Sequence, residues 1–203
     1  MKLILASASP ARAMLLKNAG LSFEVLVSGV DEEKIQADLA DLSPAEIVTK
    51  LAVAKAEAVA ATVSDAIVIA ADSMFYFGGQ LYGKPLDAVT ATRRLEKMQS
   101  KFGELITGHA VINTETGICH QAFASAVVQF APMTAAEIDA YVASGEPLEV
   151  AGNFTLDGLG AAFIDHVSGD PAAVVGLSLV TLRNLINQHG IDYTKLWQPV
   201  GNN

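Results

Sequence analysis

The sequence of 203 residues has few charged residues, few aromatic residues and a single cysteine. The lone thiol, Cys119, excludes an internal disulfide framework and a cysteine-based zinc site, and it suits a reducing compartment. Only 17% of the chain is charged, and 13 Lys and Arg face 22 Asp and Glu, which gives a formal net charge of −9. Because such an acidic chain is repelled by nucleic-acid backbones and anionic membranes, we expect neither as a partner.

Long apolar runs and familiar nucleotide-binding loops are also missing. No apolar run approaches the roughly 20 residues of a membrane span. Residues 1–6 resemble the opening of a signal peptide, but Pro10 and Arg12 interrupt the apolar run too early. The sequence has no P-loop, GxGxxG or GxSxG motif, and its 4 histidines lack metal-ligand spacing. We therefore expect a cytoplasmic protein in which a few local cations hold any bound phosphate.

Helix caps and apolar runs alternate along the chain. With 51% hydrophobic residues and a mean hydropathy of +0.37, the chain can form one sizeable core or two lobes. Since two hairpins interrupt the alternation, we expect an α/β fold with a mixed sheet. No repeat or linker is visible, so residues 1–203 are expected to form a single domain with a short, loosely docked tail from about residue 191. The expected helices cover about 10–18, 44–61, 88–99, 135–144 and 177–188, and the expected strands and hairpins about 2–6, 23–27, 66–71, 75–82, 105–130 and 161–165.

Three cationic side chains lie where they could bind phosphate. Arg12 is on the first turn of a helix capped by Ser9, where free N–H groups and the hydroxyls of Ser7 and Ser9 suit an anion. Alternatively, Ser9 is an ordinary cap and Arg12 is solvated. Lys55 interrupts an apolar helix face, where it either extends to solvent or meets an anion. Lys84 lies between a glycine and a proline, and it could equally be a turn residue.

Two carboxylates accompany these cations. Asp72 follows the most hydrophobic predicted strand, and open α/β sheets build ligand sites at the carboxyl ends of strands. Alternatively, Asp72 caps a turn. Glu32 belongs to an acidic run, which by itself indicates a solvated loop. Together, the cations and carboxylates are what metal-assisted chemistry on a polyphosphate needs.

Seven short motifs follow one another along nearly the whole chain, from about residue 3 to 186. They are LASASPAR from Leu5, GVDE from Gly29, AKA from Ala54, ADS from Ala71, GKP from Gly83, AG from Ala151 and VGL from Val175. In this order they resemble the Maf family of nucleoside triphosphate pyrophosphatases. The segment 154–160, with Gly169-Asp170-Pro171, looks most like actinobacterial members.

The resemblance implies a fold similar to the inosine-triphosphatase type, with a curved mixed sheet and two lobes around a nucleotide cleft. It implies hydrolysis of a nucleoside triphosphate between the α and β phosphates, assisted by Mg²⁺ or Mn²⁺, in a cytoplasmic homodimer that maintains the nucleotide pool. The family's link to septum formation implies an alternative, a nucleotide-binding regulator of cell division with little turnover. A purely structural protein would leave Lys55 and Asp72 unexplained.

Residue roles carry over by motif. Asp72 would be the proton acceptor for the attacking water, either directly or through the metal. Glu32 and Asp72 would bind the metal, whose preference for carboxylates fits the acidic run. The side chains that would bind the triphosphate are Ser7, Ser9, Arg12, Lys55 and Lys84.

The positions that would read the base depart from the family's branches. Many members have a second arginine where this chain has Ala11. Two further positions are Ser73 and Asp157 in this chain. At these two positions, the branch acting on dTTP and UTP has Thr and Gln, respectively, and the branch acting on 7-methyl-GTP has Gln and Glu. Because an ionised carboxylate only accepts hydrogen bonds, Asp157 favours the adjacent N–H donors of guanine, and we expect a purine or modified purine. Alternatively, Asp157 is a turn residue that never touches the base.

Overall fold

The computed structural model describes residues 1–39 and 41–198 as a mixed α/β fold. The helices are α1 (Pro10–Asn18), α2 (Glu32–Asp38), α3 (Pro44–Ala60), α4 (Ala88–Met98), α5 (Ala135–Ala143), α6 (Pro171–Val175) and α7 (Leu179–Gln188). The strands are β1 (Lys2–Leu5), β2 (Glu24–Val25), β3 (Ala66–Phe77), β4 (Gln80–Tyr82), β5 (Phe102–Asn113), β6 (Cys119–Phe130) and β7 (Ile164–Gly169). The sheet order is β2-β1-β3-β5-β6-β7, with β4 on β3, and it combines parallel β1 pairs with antiparallel β3–β4 and β6–β7 pairs. The predicted mixed α/β class is confirmed.

Two compact units divide the chain. Unit 1 comprises Met1–Asp72, Thr107–Ala124 and the chain from Gly176 onward, and unit 2 comprises Ser73–Ile106 and Ser125–Val175. Each unit has an apolar core of its own. No helix among residues 1–39 and 41–198 is long and apolar enough to cross a bilayer. The single-domain organisation and the nucleotide cleft stay predictions.

In unit 1, strands β1 and β3 bury alternate side chains on opposite faces, as strand geometry requires. One face packs with α1 and α7 and carries Leu3, Leu5, Ile67, Ile69 and Ala71. The other face packs with α3 and carries Ile4, Ala6, Val68 and Ala70. The same alternation places the next even-numbered residue of β3, Asp72, on the side of α3.

Helix α3 is fixed at its start and along its length. Ser43 and Glu46 form a capping box, and Pro44 occupies the first helical turn. Gly108 of β5 lies against the backbone of Val48, where a Cβ would clash with the helix carbonyl. This close approach of strand and helix backbones leaves no room for a side chain and holds α3 on the sheet of unit 1.

Unit 2 has an aromatic core. Phe75, Phe130 and Phe154 meet edge to face, with ring centroids 5.2 to 5.9 Å apart. Apolar residues of α4 and α5 pack against the same cluster. Gly152 has φ +76° and lies against Phe75. This position requires glycine because the backbone is left-handed and because a Cβ would clash with Phe75.

Two predictions about the acidic residues are wrong. The sequence predicts a loop for the acidic run, but Asp31 caps α2, and its Oδ1 accepts from the backbone N–H of Lys34 at 3.0 Å. The acidic first turn then favours the helix start electrostatically. The strand before Asp72 was expected to end there, but β3 continues because Phe75 is buried and pairs with Tyr82 of β4. Asp72 therefore lies within a strand rather than at its end.

Two predicted strands are shorter or displaced. Of the expected strand 23–27, only Glu24 and Val25 pair with β1, and both are exposed. The expected strand 161–165 is mostly a 3₁₀ helix, Leu159–Phe163, which precedes β7. At the start of this helix, the carboxylate of Glu146 accepts hydrogen bonds from the backbone N–H groups of Leu159 and Gly160, which favours the helical turn.

The predicted loose docking of the tail is wrong as far as residue 198. Tyr193 is buried in the core of unit 1. The backbone N–H of Gln198 donates to the carbonyl of Gly20 at 2.7 Å. Apolar contact and a backbone hydrogen bond thus hold this segment, and residues 199–203 of the predicted tail lie outside the described residues.

Candidate active site

Lys55 is a buried lysine at the centre of a charged cluster in unit 1. It projects from the sheet-facing side of α3, and only 6% of the residue is exposed. Its Nζ donates to Asp72 Oδ1 at 2.6 Å and lies 2.9 Å from Glu32 Oε1. Of the two interpretations left open by the sequence, the structure supports the one in which Lys55 meets anions.

Asp72 has one oxygen atom that is paired and one that is not. Oδ1 accepts from Lys55, whereas Oδ2 is buried and has no hydrogen-bond partner within the described part of the chain. Burial raises the pKa of Asp72, Lys55 and Arg12 lower it, and Glu32 raises it further, so the net pKa lies above the ordinary value. An unpartnered buried carboxylate oxygen is costly for folding, which favours a ligand-binding or catalytic role over the turn cap also considered.

Glu32 reaches the cluster from the first turn of α2. Its carboxylate is more than half exposed, in contrast to those of Lys55 and Asp72. Because Oε1 of Glu32 and Oδ1 of Asp72 lie against one ammonium, two carboxylates meet at a single position of positive charge.

Arg12 is held in place by contacts near and far in the sequence. Its backbone N–H donates to the capping Ser9 Oγ at 3.4 Å, and its Nη1 donates to Ser7 Oγ at 3.1 Å. Its Nε donates to the carbonyl of Gly176 at 2.8 Å. Burial lowers the pKa of Arg12 while Asp72 and Glu32 raise it, and a guanidinium stays charged throughout. Arg12 is therefore an ordered, half-buried cation and not a solvated one.

Gly176 is a site residue that the sequence reasoning did not assign, although it lies in the VGL motif. It has φ +121°, and a Cβ would come within 3.3 Å of Arg12 Nε. Two residues later, the backbone N–H of Ser178 donates to Nε2 of the buried His109 at 2.8 Å. The motif thus supplies a fixed acceptor for the arginine, and the motif itself was the available signal.

Lys84 lies in unit 2 on an exposed turn. Its Nζ is 3.6 Å from Glu149 Oε2, an exposed pair of the kind that contributes little to stability. Arg94 donates to the carbonyl of the preceding Gly83 at 2.9 Å and stacks on the Tyr82 ring, which fixes the start of the turn. The predicted contact of Lys84 with phosphate stays a prediction.

The three base-specificity candidates are spread over both units. Ala11, in α1, and Ser73, in β3, are partly buried. Asp157 is exposed in unit 2, and its carboxylate has no hydrogen bond or ion pair to any described residue. Asp157 lies on a bend of the chain, which is compatible with the alternative of a turn residue, and the role of all three in reading a base stays a prediction.

The donor set of the cluster suits a hard cation in part. Glu32 and Asp72 offer carboxylate oxygens, which Mg²⁺ and Mn²⁺ prefer. Across the described ranges, no group of three or more His, Cys, Asp or Glu side chains could hold a metal ion alone. The two carboxylates fit a divalent cation whose other ligands are water and phosphate, as is usual for Mg²⁺ at phosphates.

Comparison with known proteins identifies the family. The family model described as Maf-like protein matches residues 2–189. A Streptomyces coelicolor protein named nucleoside triphosphate pyrophosphatase is 52% identical, and the match covers 98% of this chain and 95% of that protein. Proteins of the same name from Saccharopolyspora erythraea and a Synechococcus strain are each 46% identical, and the matches cover 98% and 96% of this chain and 98% of each relative. The predicted resemblance, including that to actinobacterial members, is confirmed: the chain belongs to the Maf family.

Proposed function

We propose that this protein is a nucleoside triphosphate pyrophosphatase, which cleaves its substrate between the α and β phosphates and releases a nucleoside monophosphate and pyrophosphate. The names of its relatives support the reaction. The observation that carries the proposal is the buried, unpartnered Oδ2 of Asp72 beside Lys55 and Glu32. A protein that only binds nucleotide, such as a regulator of cell division, gains nothing from such an oxygen.

Asp72 acts as the general base. Its Oδ2 accepts the proton of the water that attacks the phosphorus atom, while Oδ1 stays paired with Lys55. A raised pKa makes Asp72 a better base than an ordinary aspartate, because the pKa moves toward the operating pH. The rigid strand β3 holds the carboxylate in position.

Cationic groups bind the triphosphate. An ammonium has three N–H donors, so Lys55, which uses donors for Asp72 and Glu32, retains one for a phosphate oxygen. Gly176 and Ser7 fix the plane of the Arg12 guanidinium, which matches phosphate geometry. The Ser7 and Ser9 hydroxyls add donors, and Lys84 of unit 2 adds a further charge.

Glu32 and Asp72 would hold a divalent cation, Mg²⁺ or Mn²⁺, on their carboxylate oxygens. When bound, that cation supplies charge neutralisation for the phosphates. The chain's own contribution is to present both carboxylates beside Lys55, on α2 and β3.

The substrate is a purine or modified purine nucleoside triphosphate, because the exposed Asp157 carboxylate accepts hydrogen bonds and cannot donate them. Asp157→Gln, which adds donors, should shift the ranking toward UTP and dTTP. An unchanged ranking would contradict this role. A cytoplasmic homodimer with a housekeeping role completes the proposal, and light scattering at micromolar concentration tests the dimer.

A pyrophosphate-release assay tests the reaction. Standard and modified nucleoside triphosphates are incubated with Mg²⁺, Mn²⁺ or a chelator, and both products are identified by chromatography. We expect equal amounts of monophosphate and pyrophosphate, abolished by the chelator. Release of orthophosphate and diphosphate, or no product from any nucleotide with either metal, would overturn the proposal.

A further inference from the structure

Glu146, which follows α5 in unit 2, has a carboxylate surrounded by hydrogen-bond donors. Oε2 accepts from the backbone N–H of Leu159 at 2.9 Å. Oε1 accepts from Tyr141 Oη at 3.0 Å, Thr155 Oγ1 at 2.6 Å and the backbone N–H of Gly160 at 2.9 Å. Apart from Tyr141, these donors all belong to residues 155–160, which we call the 155–160 segment.

Glycines let the 155–160 segment close on this carboxylate. A Cβ at Gly158 would clash with Glu146 Oε2, and a Cβ at Gly160 would clash with Tyr141 Oη. Among the ion pairs formed by described residues, none involves Glu146, so neutral donors alone compensate its charge. Hydrogen bonds to a carboxylate are stronger than those between neutral groups, and here they lower the pKa of Glu146 although burial raises it.

Asp157 lies in the middle of the 155–160 segment, between the anchored residues. Thr155 on one side, and Leu159 and Gly160 on the other, are bound to Glu146, whereas Asp157 is exposed and its carboxylate binds no described group. The backbone that carries Asp157 is thus held on both sides before any ligand arrives, whereas its carboxylate is left available. Preorganisation of this kind reduces the entropy lost on binding.

We propose that Glu146 is a positioning residue that fixes the 155–160 segment so that Asp157 meets the base of the nucleotide, and that Glu146 thereby sets the discrimination between bases. This role rests on the proposed pyrophosphatase function and adds to it a residue that governs specificity without touching substrate. Misplacement of a recognition group by about 1 Å can cost roughly 10²-fold in rate, so a loosened segment should lose discrimination.

The test compares Glu146→Ala and Glu146→Gln with a matched control, Glu137→Gln. Glu137 is also a carboxylate of unit 2, and it accepts from Thr134 N and Oγ1 at 2.7 and 2.8 Å, away from the 155–160 segment. The readouts are hydrogen exchange at the Leu159 and Gly160 amides and the ratio of kcat/KM for GTP over UTP. The inhibition constant of inorganic pyrophosphate reports on the phosphate site alone.

In Glu146→Ala we expect both amides to exchange at least about tenfold faster and the GTP to UTP ratio to move about tenfold toward one. Pyrophosphate inhibition should stay within about twofold of wild type, since no phosphate contact is lost. Glu146→Gln should be intermediate, because its amide keeps one acceptor oxygen, and it carries the same test where the alanine variant does not fold. Glu137→Gln should lower Tm and change none of these readouts.

Each contrary result is decisive. If the Leu159 and Gly160 amides of a Glu146 variant exchange faster but its GTP to UTP ratio of kcat/KM is unchanged, the role of Glu146 is overturned. An active wild type with no preference between the two nucleotides also overturns it. An equal loss of kcat/KM for both nucleotides would make Glu146 merely structural. A wild type that releases no pyrophosphate from any nucleotide overturns the proposed function instead, and this role with it.

Discussion

Asp72 in unit 1 and Glu146 in unit 2 are carboxylates held in opposite ways. Asp72 is almost fully buried, pairs one oxygen with Lys55 and leaves the other without a partner. Glu146 is less buried, and both of its oxygens accept hydrogen bonds. The pKa is raised at Asp72 and lowered at Glu146. The difference separates a group that is free to take a proton from one whose acceptors are used to shape the backbone.

The largest effect is expected from removing the unpaired oxygen. Asp72→Asn should lower kcat by ~10²-fold or more, because the amide keeps the shape but cannot act as a base. Its Tm should also fall, because the substitution breaks the buried ion pair with Lys55, so turnover is measured per folded protein. Asp65→Asn, at the exposed residue before β3, is the control and should leave kcat unchanged. Near-normal turnover by a folded Asp72→Asn protein would remove Asp72 from the mechanism.

Two lysines test the effect of burial on the same charge. Lys55→Ala should reduce both kcat/KM and stability, because breaking a buried ion pair costs about 3–5 kcal/mol. Lys84→Ala should reduce kcat/KM alone, since its exposed pair with Glu149 contributes about 0–1 kcal/mol. Steady-state kinetics and calorimetry on both variants measure the contrast. Unchanged kinetics in Lys84→Ala would show that this lysine does not bind the triphosphate.

Substitutions at two neighbouring glutamates of α2 should affect the metal dependence of the activity differently. Glu32→Gln should raise the Mg²⁺ or Mn²⁺ concentration needed for half-maximal activity by about tenfold, because one of two carboxylate ligands is lost. Glu33→Gln alters an exposed neighbour and should change nothing. A metal titration at saturating nucleotide measures both, and equal responses would argue against metal binding by Glu32.

The smallest expected effect is a difference between the pH at which activity is lost and the pH at which the chain unfolds in acid. The folded-state pKa of Glu146 is below its unfolded value of about 4.5, so its stabilisation is present above that value and lost as pH falls through the lower pKa. The folded-state pKa of Asp72 is raised above its unfolded value of about 3.8. As the pH falls, protonation therefore removes the base at a midpoint above pH 3.8, and the chain stays folded. Because the two pKa values are shifted in opposite directions, the fall of kcat/KM at acid pH and the loss of the circular-dichroism signal should be two separate transitions. Coincident transitions would contradict the assignment.

Local signals predicted much of unit 1. The caps at Ser9 and Ser43 gave the starts of α1 and α3. The apolar face of α3 indicated that Lys55 either extends to solvent or meets an anion, and the structure shows the second. The end of β3 was missed because an apolar run continues past Asp72 into the hairpin, so Asp72 lies inside the strand and does not end it.

Contacts between distant residues were beyond the reach of sequence patterns. The donors to Glu146 extend from Tyr141 to Gly160, and no period or spacing links them. The pairing of Arg12 with Gly176 is of the same kind, because a backbone carbonyl is an acceptor that every residue possesses. Identification of such partners requires the path of the chain.

The contact between Arg12 and Gly176 has a consequence for biosynthesis, because 164 positions separate the two residues. A ribosome makes Arg12, Lys55 and Asp72 long before the carbonyl that orients the guanidinium. Helix α7, which supplies one side of the unit 1 core, is made later still. A nascent chain that has not reached Gly176 lacks the carbonyl that fixes Arg12 Nε. The Arg12 guanidinium therefore reaches its described orientation only after Gly176 has been synthesised, much later than the neighbouring Lys55 and Asp72.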